Sequence, residues 1–385
     1  MKKITLSFAA VLVITQLHAQ APGSTNSTPA KAPARRDSSP LVSPEVHSDR
    51  SVTFRLRAPN AKEVKVSGEG AMGEVVLTNN QGNWSATIGP LEADIYGYSM
   101  IVDGVTVVDP NNPWVKPMRA ARTSVVLVPG EPPRPWEIQS VPHGTVHEHS
   151  YFSKSLSVER RLHVYTPPGY EKDLKAYPVL YLLHGSGDND ATWSAVGHAQ
   201  FIEDNLLAKG KAQPMIIVMP DGHAFNANPG QVTTNMITRN VENFGNDLLK
   251  DVMPMIEATY RVKAGRENRA IIGLSMGGGQ SLGIGLRHRE LFAWVGGMSS
   301  YLPDPAKLVE EAFPDSKNDS ELLWFACGKE DRLIENARQL STALKQKGIS
   351  HKFEETPGSH AWPVWRRNLV EFLPLLFNEK RVSGK

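Results

Sequence analysis

Short runs of alternating apolar and polar residues characterise the chain between residues 44 and 128. Residues 51–57, 63–67 and 84–88 alternate with a period of two, and turn-forming residues such as those at 79–82 separate the runs. No long helical period intervenes. Short strands at this spacing predict an all-β sandwich.

The pattern changes at residue 143, where apolar runs begin to alternate with helical periods. The predicted strands are residues 162–165, 178–183, 215–219, 270–274, 294–299, 322–327 and 351–355. The predicted helices are residues 244–260, 277–288, 334–347 and 362–377. Strands that are apolar throughout and alternate with helices predict an α/β domain, with a parallel sheet covered on both faces.

The N-terminus has the three-part pattern of a secretory signal peptide. Lys2 and Lys3 precede a mostly apolar run over residues 4–17, and Ala19 supplies a small residue for cleavage. The alternative is a membrane anchor, but a span needs about 20 apolar residues and this run is shorter. We therefore expect a bacterial protein that is exported to the periplasm or the exterior.

Two segments rich in proline and small residues divide the rest of the chain. Such composition is typical of linkers, disordered in the first case and stiff in the second. The expected organisation is a signal peptide (1–19), a disordered linker (20–43), an immunoglobulin-like sandwich (44–128), a proline-rich linker (129–142) and an α/β domain (143–385).

Composition and charge narrow the classes of function. The 385 residues include 42 basic and 40 acidic side chains and one cysteine. A charge this close to zero argues against nucleic acid or an anionic membrane as the main partner. A single cysteine, Cys327, excludes an internal disulfide and any cysteine-rich metal centre, and we expect it in the core.

The sharpest motif is Gly-Leu-Ser-Met-Gly at residues 273–277. A buried strand precedes it and a glycine-rich helix follows, which is the context of a nucleophile elbow on an α/β-hydrolase. The serine of an elbow sits on a tight turn, so the residues two positions to either side must be small. Gly273 and Gly277 meet this need, and Ser275 is the predicted nucleophile.

A serine nucleophile needs a histidine base and an acid, in the chain order Ser, acid, His on this fold. His360 lies in a loop after the last predicted strand and is the expected base, whereas His288 ends a helix and His351 begins a strand. The acid should follow the penultimate strand. Glu330 and Asp331 are both available there.

The loop after the strand at 178–183 is the expected source of one oxyanion N–H. Ser186 is the best candidate in this loop and Gly187 the second, while the other N–H should come from Met276, directly after the nucleophile. Each such donor contributes roughly 10²–10³ to the rate. His184 is expected to form structural hydrogen bonds.

Matching stretches run in order through the α/β domain. They are YTPPGY (165–170), YPVLYLLHG (177–185), PDG (220–222), YRV (260–262), the 273–277 motif, CGKED (327–331) and GSHAW (358–362). In these the domain resembles the esterase-D-like enzymes of the first carbohydrate-esterase family, which includes feruloyl and acetylxylan esterases. The resemblance implies an α/β-hydrolase fold, an acid at Asp331 and no cofactor.

The sandwich carries a second resemblance, to the immunoglobulin-like, family 48 carbohydrate-binding modules of glycogen-branching and debranching enzymes. It rests on FRLRAPNAKEVKV (54–66), GNW (82–84), YGY (96–98), VDG (102–104) and DP (109–110). Such modules can bind glucans, which would make Trp84, Tyr96, Tyr98 or Trp114 a platform for sugar rings. Packing in the core is preferred for Trp84 and Tyr96, and a module that shapes the active-site rim is favoured over a starch anchor.

The two parts together resemble gut bacterial feruloyl esterases. This implies release of ferulate from feruloylated arabinoxylan of the plant cell wall. Trp193 and Trp362 are candidates for an apolar acyl slot, with core packing equally open, and Phe225 and Asn226 are candidates for the rim.

Several alternatives stay open. An acetylxylan or other short-acyl esterase would use the same machinery, and a siderophore-ester hydrolase ranks third. The intact Ser, acid and His argue against a non-catalytic carbohydrate-binding protein, and nothing favours a peptidase. No metal is expected because His147 and His149 lack a clear third ligand.

Overall fold

The computed structural model describes residues 41–224, 233–317 and 319–378. The expected signal peptide, most of the first linker, Phe225 and Asn226 lie outside the described residues. From Leu41 onward the chain forms one compact unit. None of the described helices is long and apolar enough to cross a membrane.

The described part of the N-terminal region is all β. Its strands are β1 (Glu45–Val46), β2 (Val52–Arg57), β3 (Val64–Gly68), β4 (Glu74–Val76), β5 (Thr78–Asn80), β6 (Asn83–Ile88), β7 (Asp94–Val102), β8 (Val105–Val107) and β9 (Ser124–Val128). They pair antiparallel in two sheets, β1-β2-β6-β5 and β4-β3-β7-β8, and β9 also pairs with β7. Apolar side chains of both sheets share one core.

Three aromatic residues considered for a sugar platform belong to this core. Trp84, Tyr96 and Tyr98 are all buried. Their polar ends are used inside the sandwich, where Trp84 Nε1 donates to a carbonyl (2.9 Å) and Tyr98 OH donates to Asp109 (2.8 Å). Trp114 is half-buried and stacks on His198 of the α/β domain, with ring centres 5.9 Å apart. These contacts are structural.

The α/β domain is built on an eight-stranded sheet. Its strands are β10 (Thr145–Ser153), β11 (Val158–Thr166), β12 (Val179–Leu183), β13 (Ile216–Pro220), β14 (Arg269–Gly273), β15 (Trp294–Met298), β16 (Leu322–Gly328) and β17 (Lys352–Thr356). The order is β10-β11-β13-β12-β14-β15-β16-β17. The strands from β13 to β17 are parallel, as expected, but β10 and β11 form an antiparallel hairpin at one edge.

Helices cover both faces of this sheet. They are α1 (Thr192–Ala195), α2 (Ala199–Ala208), α3 (Thr234–Asp247), α4 (Met253–Thr259), α5 (Met276–Arg287), α6 (Pro305–Ala312), α7 (Ile334–Gln346) and α8 (Trp362–Phe372). A π-helical turn, Leu248–Val252, joins α3 to α4, so the predicted helix over 244–260 is interrupted.

Alternate residues of the central strands face the two helical layers. Tyr181 and Leu183 pack with α3, α5 and α7, whereas Leu180 and Leu182 pack with α2 and α8. Successive side chains of a strand point to opposite faces, so a strand covered on both sides must be apolar throughout. This is why the apolar run at 178–183 predicts a buried strand from the sequence alone.

The sandwich packs on the α2–α8 side through a buried ion pair. The guanidinium of Arg366, in α8, donates to Asp94 Oδ1 and to the carbonyl of Ile95, both in β7. It also donates to the carbonyl of Val196 (2.9 Å). Arg366 and Asp94 are almost completely inaccessible to solvent, so breaking the pair would leave a buried uncompensated charge.

Glu203, in α2, provides a test of stability against pH. It is fully buried, and its carboxylate oxygens have no hydrogen-bond partner among the described residues. Burial, reinforced by the neighbouring Asp204, raises the pKa of Glu203 well above its ordinary value. The unfolded chain loses this proton above about pH 4.3 while the folded chain retains it, so stability falls as pH rises from there.

Glu203→Gln removes this dependence because an amide cannot ionise. We expect equal Tm values for the variant and the parent near pH 4, and a Tm for the variant about 2–4 °C higher near pH 8. Thermal denaturation at both pH values checks this. A constant difference between the two proteins at both pH values would contradict it.

Candidate active site

The turn between β14 and α5 exposes the Ser275 hydroxyl at the carboxyl end of the sheet. Ser275 has φ of 54°, an uncommon value for a residue with a side chain. Its N–H donates to the Met298 carbonyl (2.8 Å). A Cβ at Gly273 would lie 2.4 Å from the backbone of Gly277, and one at Gly277 would lie 2.4 Å from the His184 carbonyl. Both glycines are therefore required by close backbone approach.

His360 and Asp331 complete a chain of hydrogen bonds with Ser275. His360 Nε2 lies 3.0 Å from Ser275 Oγ, and His360 Nδ1 lies 2.8 Å from Asp331 Oδ2. The three residues follow β14, β16 and β17. Parallel strands place their carboxyl ends at one edge, which is where α/β sheets carry their sites.

The surroundings of Asp331 explain how its carboxylate can accept the hydrogen bond from His360. Burial raises the pKa of its carboxyl, but hydrogen bonds from His360 and Ser299 outweigh burial, and the net pKa lies below the ordinary value. The carboxylate is therefore ionised at neutral pH. Glu330 instead accepts the Gly358 N–H (2.6 Å) at the surface.

Ser299 is a functional residue that the sequence did not reveal. It is fully buried after β15, with φ of 46°, and its hydroxyl bonds Asp331. Its Oγ accepts the indole N–H of Trp365 (3.1 Å). Trp365 in turn packs edge-on against the His360 ring, with centres 4.9 Å apart. Ser299 and Trp365 therefore hold both partners of the His–Asp pair.

Backbone N–H groups lie near Ser275 on two sides. Met276 is the first residue of α5, so its N–H has no partner within the helix. Gly185 approaches the serine closely, since a Cβ there would lie 3.4 Å from Ser275 Cβ. Ser186 follows at the exposed tip of the loop, and its N–H makes no hydrogen bond with the residues that the structure describes.

Gly187 does not have the free N–H that an oxyanion donor needs. Its N–H donates to His223 Nε2 (3.2 Å). This bond argues against Gly187 as the donor of the loop, and Ser186 and Met276 remain the predicted donors. A serine, a base with its acid and two N–H groups can together attack a carbonyl and stabilise the resulting oxyanion.

The chain resembles known proteins over this same region. A family model described as "Putative esterase" matches residues 153–310. A solved ferulic acid esterase is 30% identical and is aligned over 60% of this chain and 97% of its own, with a TM-score of 0.52. The chain belongs to the esterase family.

Two further comparisons extend over the sandwich. The endo-1,4-beta-xylanase/feruloyl esterase of Xylanibacter ruminicola is 32% identical over 344 residues, 87% of this chain and 46% of that protein. The chain thus spans about half the length of the first curated relatives that it matches. An enterobactin esterase of Shigella flexneri has a TM-score of 0.63 over 84% of this chain and 92% of its own, but at 18% identity it shows the fold alone. The predicted α/β-hydrolase fold with its N-terminal all-β region is confirmed.

A histidine network supports the loop that carries Ser186. His184 Nε2 accepts the Gly222 N–H (2.8 Å), and its Nδ1 donates to the Gly185 carbonyl (2.8 Å). Burial lowers the pKa of His223, so the ring is neutral and its Nε2 can accept the Gly187 N–H. Asp221 lies 3.3 Å from both imidazoles.

His184, Asp221 and His223 also form a group of potential metal ligands among the described residues. Its chemistry is that of a hydrogen-bond network, because His184 Nε2 and His223 Nε2 are already occupied by backbone N–H groups. A metal would have to displace the Gly222 N–H to reach His184 Nε2. We therefore assign the trio to support of the loop.

Trp193 and Trp362 are packed in the core and do not line an open slot, which agrees with the second of the two alternatives left open for them. They are 1% and 0% exposed and pack edge-to-face, with ring centres 5.0 Å apart. Trp193 Nε1 donates to the Leu183 carbonyl (3.0 Å). The pair fills the core beneath the active-site loops and holds the end of β12 from below.

The remaining candidates have structural contacts. Cys327 is fully buried, and burial with the nearby Asp331 raises the pKa of its thiol to about 12, which excludes it as a nucleophile at neutral pH. His149 bonds the Tyr260 hydroxyl (2.5 Å), and His147 bonds Thr166 (3.1 Å). Both histidines lie in β10, at the edge of the sheet.

Proposed function

We propose that the chain is a serine esterase that hydrolyses hydroxycinnamate esters through an acyl-enzyme. The proposal rests on two hydrogen bonds, one of 3.0 Å between Ser275 Oγ and His360 Nε2 and one of 2.8 Å between His360 Nδ1 and Asp331 Oδ2. Nucleophile, base and orienting acid at these distances are what acyl transfer requires.

The reaction proceeds in two steps. Ser275 Oγ attacks the ester carbonyl as His360 Nε2 takes its proton, and the oxyanion is held by the N–H groups of Met276 and Ser186. His360 then gives the proton to the leaving alcohol, which leaves an acyl-serine. Water attacks this ester with His360 again as base, and the acid and free Ser275 are released.

Ferulate on an arabinoxylan-type polysaccharide is the proposed substrate. Its support is the name feruloyl or ferulic acid esterase carried by a relative over 87% of this chain and by a solved structure over 97% of its own length. The reaction needs no cofactor, because every proton transfer has a side chain or water to accept it.

A short-acyl esterase, such as an acetylxylan esterase, is the second candidate. It is favoured by the position of Trp193 and Trp362, which are packed in the core and offer no open aromatic slot to a cinnamoyl group. The catalytic groups would be unchanged.

The two candidates differ in acyl preference, which a rate comparison measures. We expect kcat/KM on methyl ferulate to exceed that on a simple acetyl ester by at least about tenfold, since an aromatic acyl group offers more apolar contact. The reverse order would make the enzyme a deacetylase. Absence of turnover on both, with intact folding, would contradict the esterase proposal.

Two further proposals concern the N-terminal part of the chain. The sandwich, proposed to be of the family 48 carbohydrate-binding type, serves the catalytic domain and is not a separate glucan anchor, because Trp84, Tyr96 and Tyr98 are used in its core. Export to the periplasm or exterior is proposed from the charged and apolar pattern of residues 1–19. A signal of this type is compatible with a polysaccharide substrate outside the cell.

A further inference from the structure

A segment of the sandwich lies directly against the loop that carries Ser186. Within this segment, between β8 and β9, Lys116 Nζ contacts Asp188 Oδ1 at 2.8 Å. The two side chains are 9% and 5% exposed. The ammonium also lies 5.4 Å from the centre of the Trp362 ring. A charge pair thus joins the sandwich to the active-site loop in a position shielded from water.

Backbone contacts reinforce this pair on the same loop. The Arg119 N–H donates to the Gly187 carbonyl (3.0 Å), and the Pro117 carbonyl accepts the Thr192 hydroxyl (2.8 Å). The segment is itself fixed, since the Lys116 N–H donates to the carbonyl of Thr123, the residue directly before β9 (2.9 Å). The loop from Gly187 to Thr192 is therefore attached to the sandwich at several successive points.

The opposite side of the loop is held by the catalytic domain. The Gly187 N–H donates to His223, so both polar groups of Gly187 have partners, one from each domain. Ser186 precedes Gly187, and its N–H is the group left for the oxyanion. The position of that N–H relative to Ser275 consequently depends on where Gly187 and Asp188 are held.

A buried ion pair of this kind calls for a reason other than stability. Removing two charges from water costs about as much as their attraction returns, and apolar replacements are often neutral or stabilising. What the pair does supply is a fixed distance and direction. Lys116 supplies both to the residue two positions after Ser186.

We propose that Lys116 is a positioning residue for ester hydrolysis, which acts through Asp188 to hold the Ser186 N–H where the oxyanion develops. The inference rests on the proposed function. It means that the sandwich completes the oxyanion hole of the catalytic domain.

The expected consequence is a loss of rate without a loss of substrate binding. Because the Ser186 N–H bonds the oxyanion mainly in the transition state, Lys116→Met should lower kcat about 10- to 100-fold and leave KM within about threefold. The rate at which a fluorophosphonate labels Ser275, followed by mass spectrometry, should fall by a similar factor, since the phosphonyl oxygen occupies the same hole.

Three matched variants separate positioning from general destabilisation. Asp188→Asn should give a smaller loss of kcat, because the amide can still accept one hydrogen bond from Lys116. The double variant, Lys116→Met with Asp188→Asn, removes both charges. Its Tm should therefore recover relative to Lys116→Met, while its kcat stays low. Arg55→Met deletes a cation of the same sandwich whose partner, Glu45 at 2.6 Å, also lies in the sandwich, and should leave kcat unchanged.

Several results would overturn the proposal. An unchanged kcat in Lys116→Met, a raised KM with normal kcat, or a kcat that recovers together with Tm in the double variant would each show that the pair is structural only. If Lys116→Met does not fold, Asp188→Asn and the double variant decide. Labelling of Ser275 does not depend on the natural ester, so it tests positioning even if the parent enzyme hydrolyses neither ferulate nor acetate esters.

Discussion

Ser275→Ala should lower kcat for ester hydrolysis by roughly 10⁵–10⁶-fold while the protein stays folded. Alanine has no nucleophilic oxygen to replace Ser275 Oγ, the hydroxyl that lies 3.0 Å from His360 Nε2. The Ser275 hydroxyl stabilises neither the backbone at this position, where φ is 54°, nor the first turn of α5. The fold of the site, and with it substrate binding, should therefore persist. Initial rates with methyl ferulate, together with Tm, measure both effects.

Cys327→Ala is the matched control for this prediction, because Cys327 is the one thiol of the sequence. Its expected kcat is within severalfold of the parent. His360→Ala combined with Ser275→Ala should lose little beyond the single change, since residues that act as a unit are not additive. Substantial turnover in Ser275→Ala would remove the acyl-enzyme mechanism altogether.

Asp331→Asn should lower kcat by about 10⁴-fold with little change in the fold. The carboxylate accepts a hydrogen bond from His360 Nδ1–H, which keeps the proton on Nδ1 and leaves Nε2 free to take the proton of Ser275. An asparagine can turn its NH₂ group toward Nδ1, which favours the tautomer that already carries a proton on Nε2. Single-turnover kinetics would place the loss in the acylation step.

Glu330→Gln is the control for Asp331, since Glu330 is the adjacent acid that the sequence left as the alternative to Asp331. Glu330 accepts the Gly358 N–H, and a glutamine oxygen can do the same. We therefore expect nearly full activity. A large loss in Glu330→Gln with mild loss in Asp331→Asn would exchange the assignments of the two acids.

Those features of the site that depend on local geometry could be predicted from the sequence. The elbow can be recognised in the sequence because Gly273 and Gly277 are both required by close contacts, either within a few residues of Ser275 or with the end of the neighbouring strand. His360 is legible because it follows the last strand. The choice of Asp331 over Glu330 rested on the family resemblance, because the two acids are adjacent and only the turn after β16 decides which one faces the imidazole.

Contacts between distant segments escaped the sequence. Nothing near Gly187 indicates that His223 takes its N–H, and Lys116 and Asp188 meet only because the sandwich packs on the domain. Trp193 and Trp362 follow catalytic loops in sequence, but their side chains turn into the core. The strand β10 was missed because it is an exposed edge of mixed polarity, with little of the apolar signal of the central strands.

The buried bonds of Arg366 to Asp94 and Ile95 have a consequence for how the chain can be divided. Ile95 and Val125 of the sandwich share one apolar cluster with the α2 and α8 layer of the hydrolase. A fragment cut at the proline-rich linker would expose that cluster to water, and exposed apolar surface of this kind promotes aggregation. The sandwich therefore keeps this apolar surface of the α/β domain away from water. We expect the two parts to unfold together, although the linker separates them in sequence.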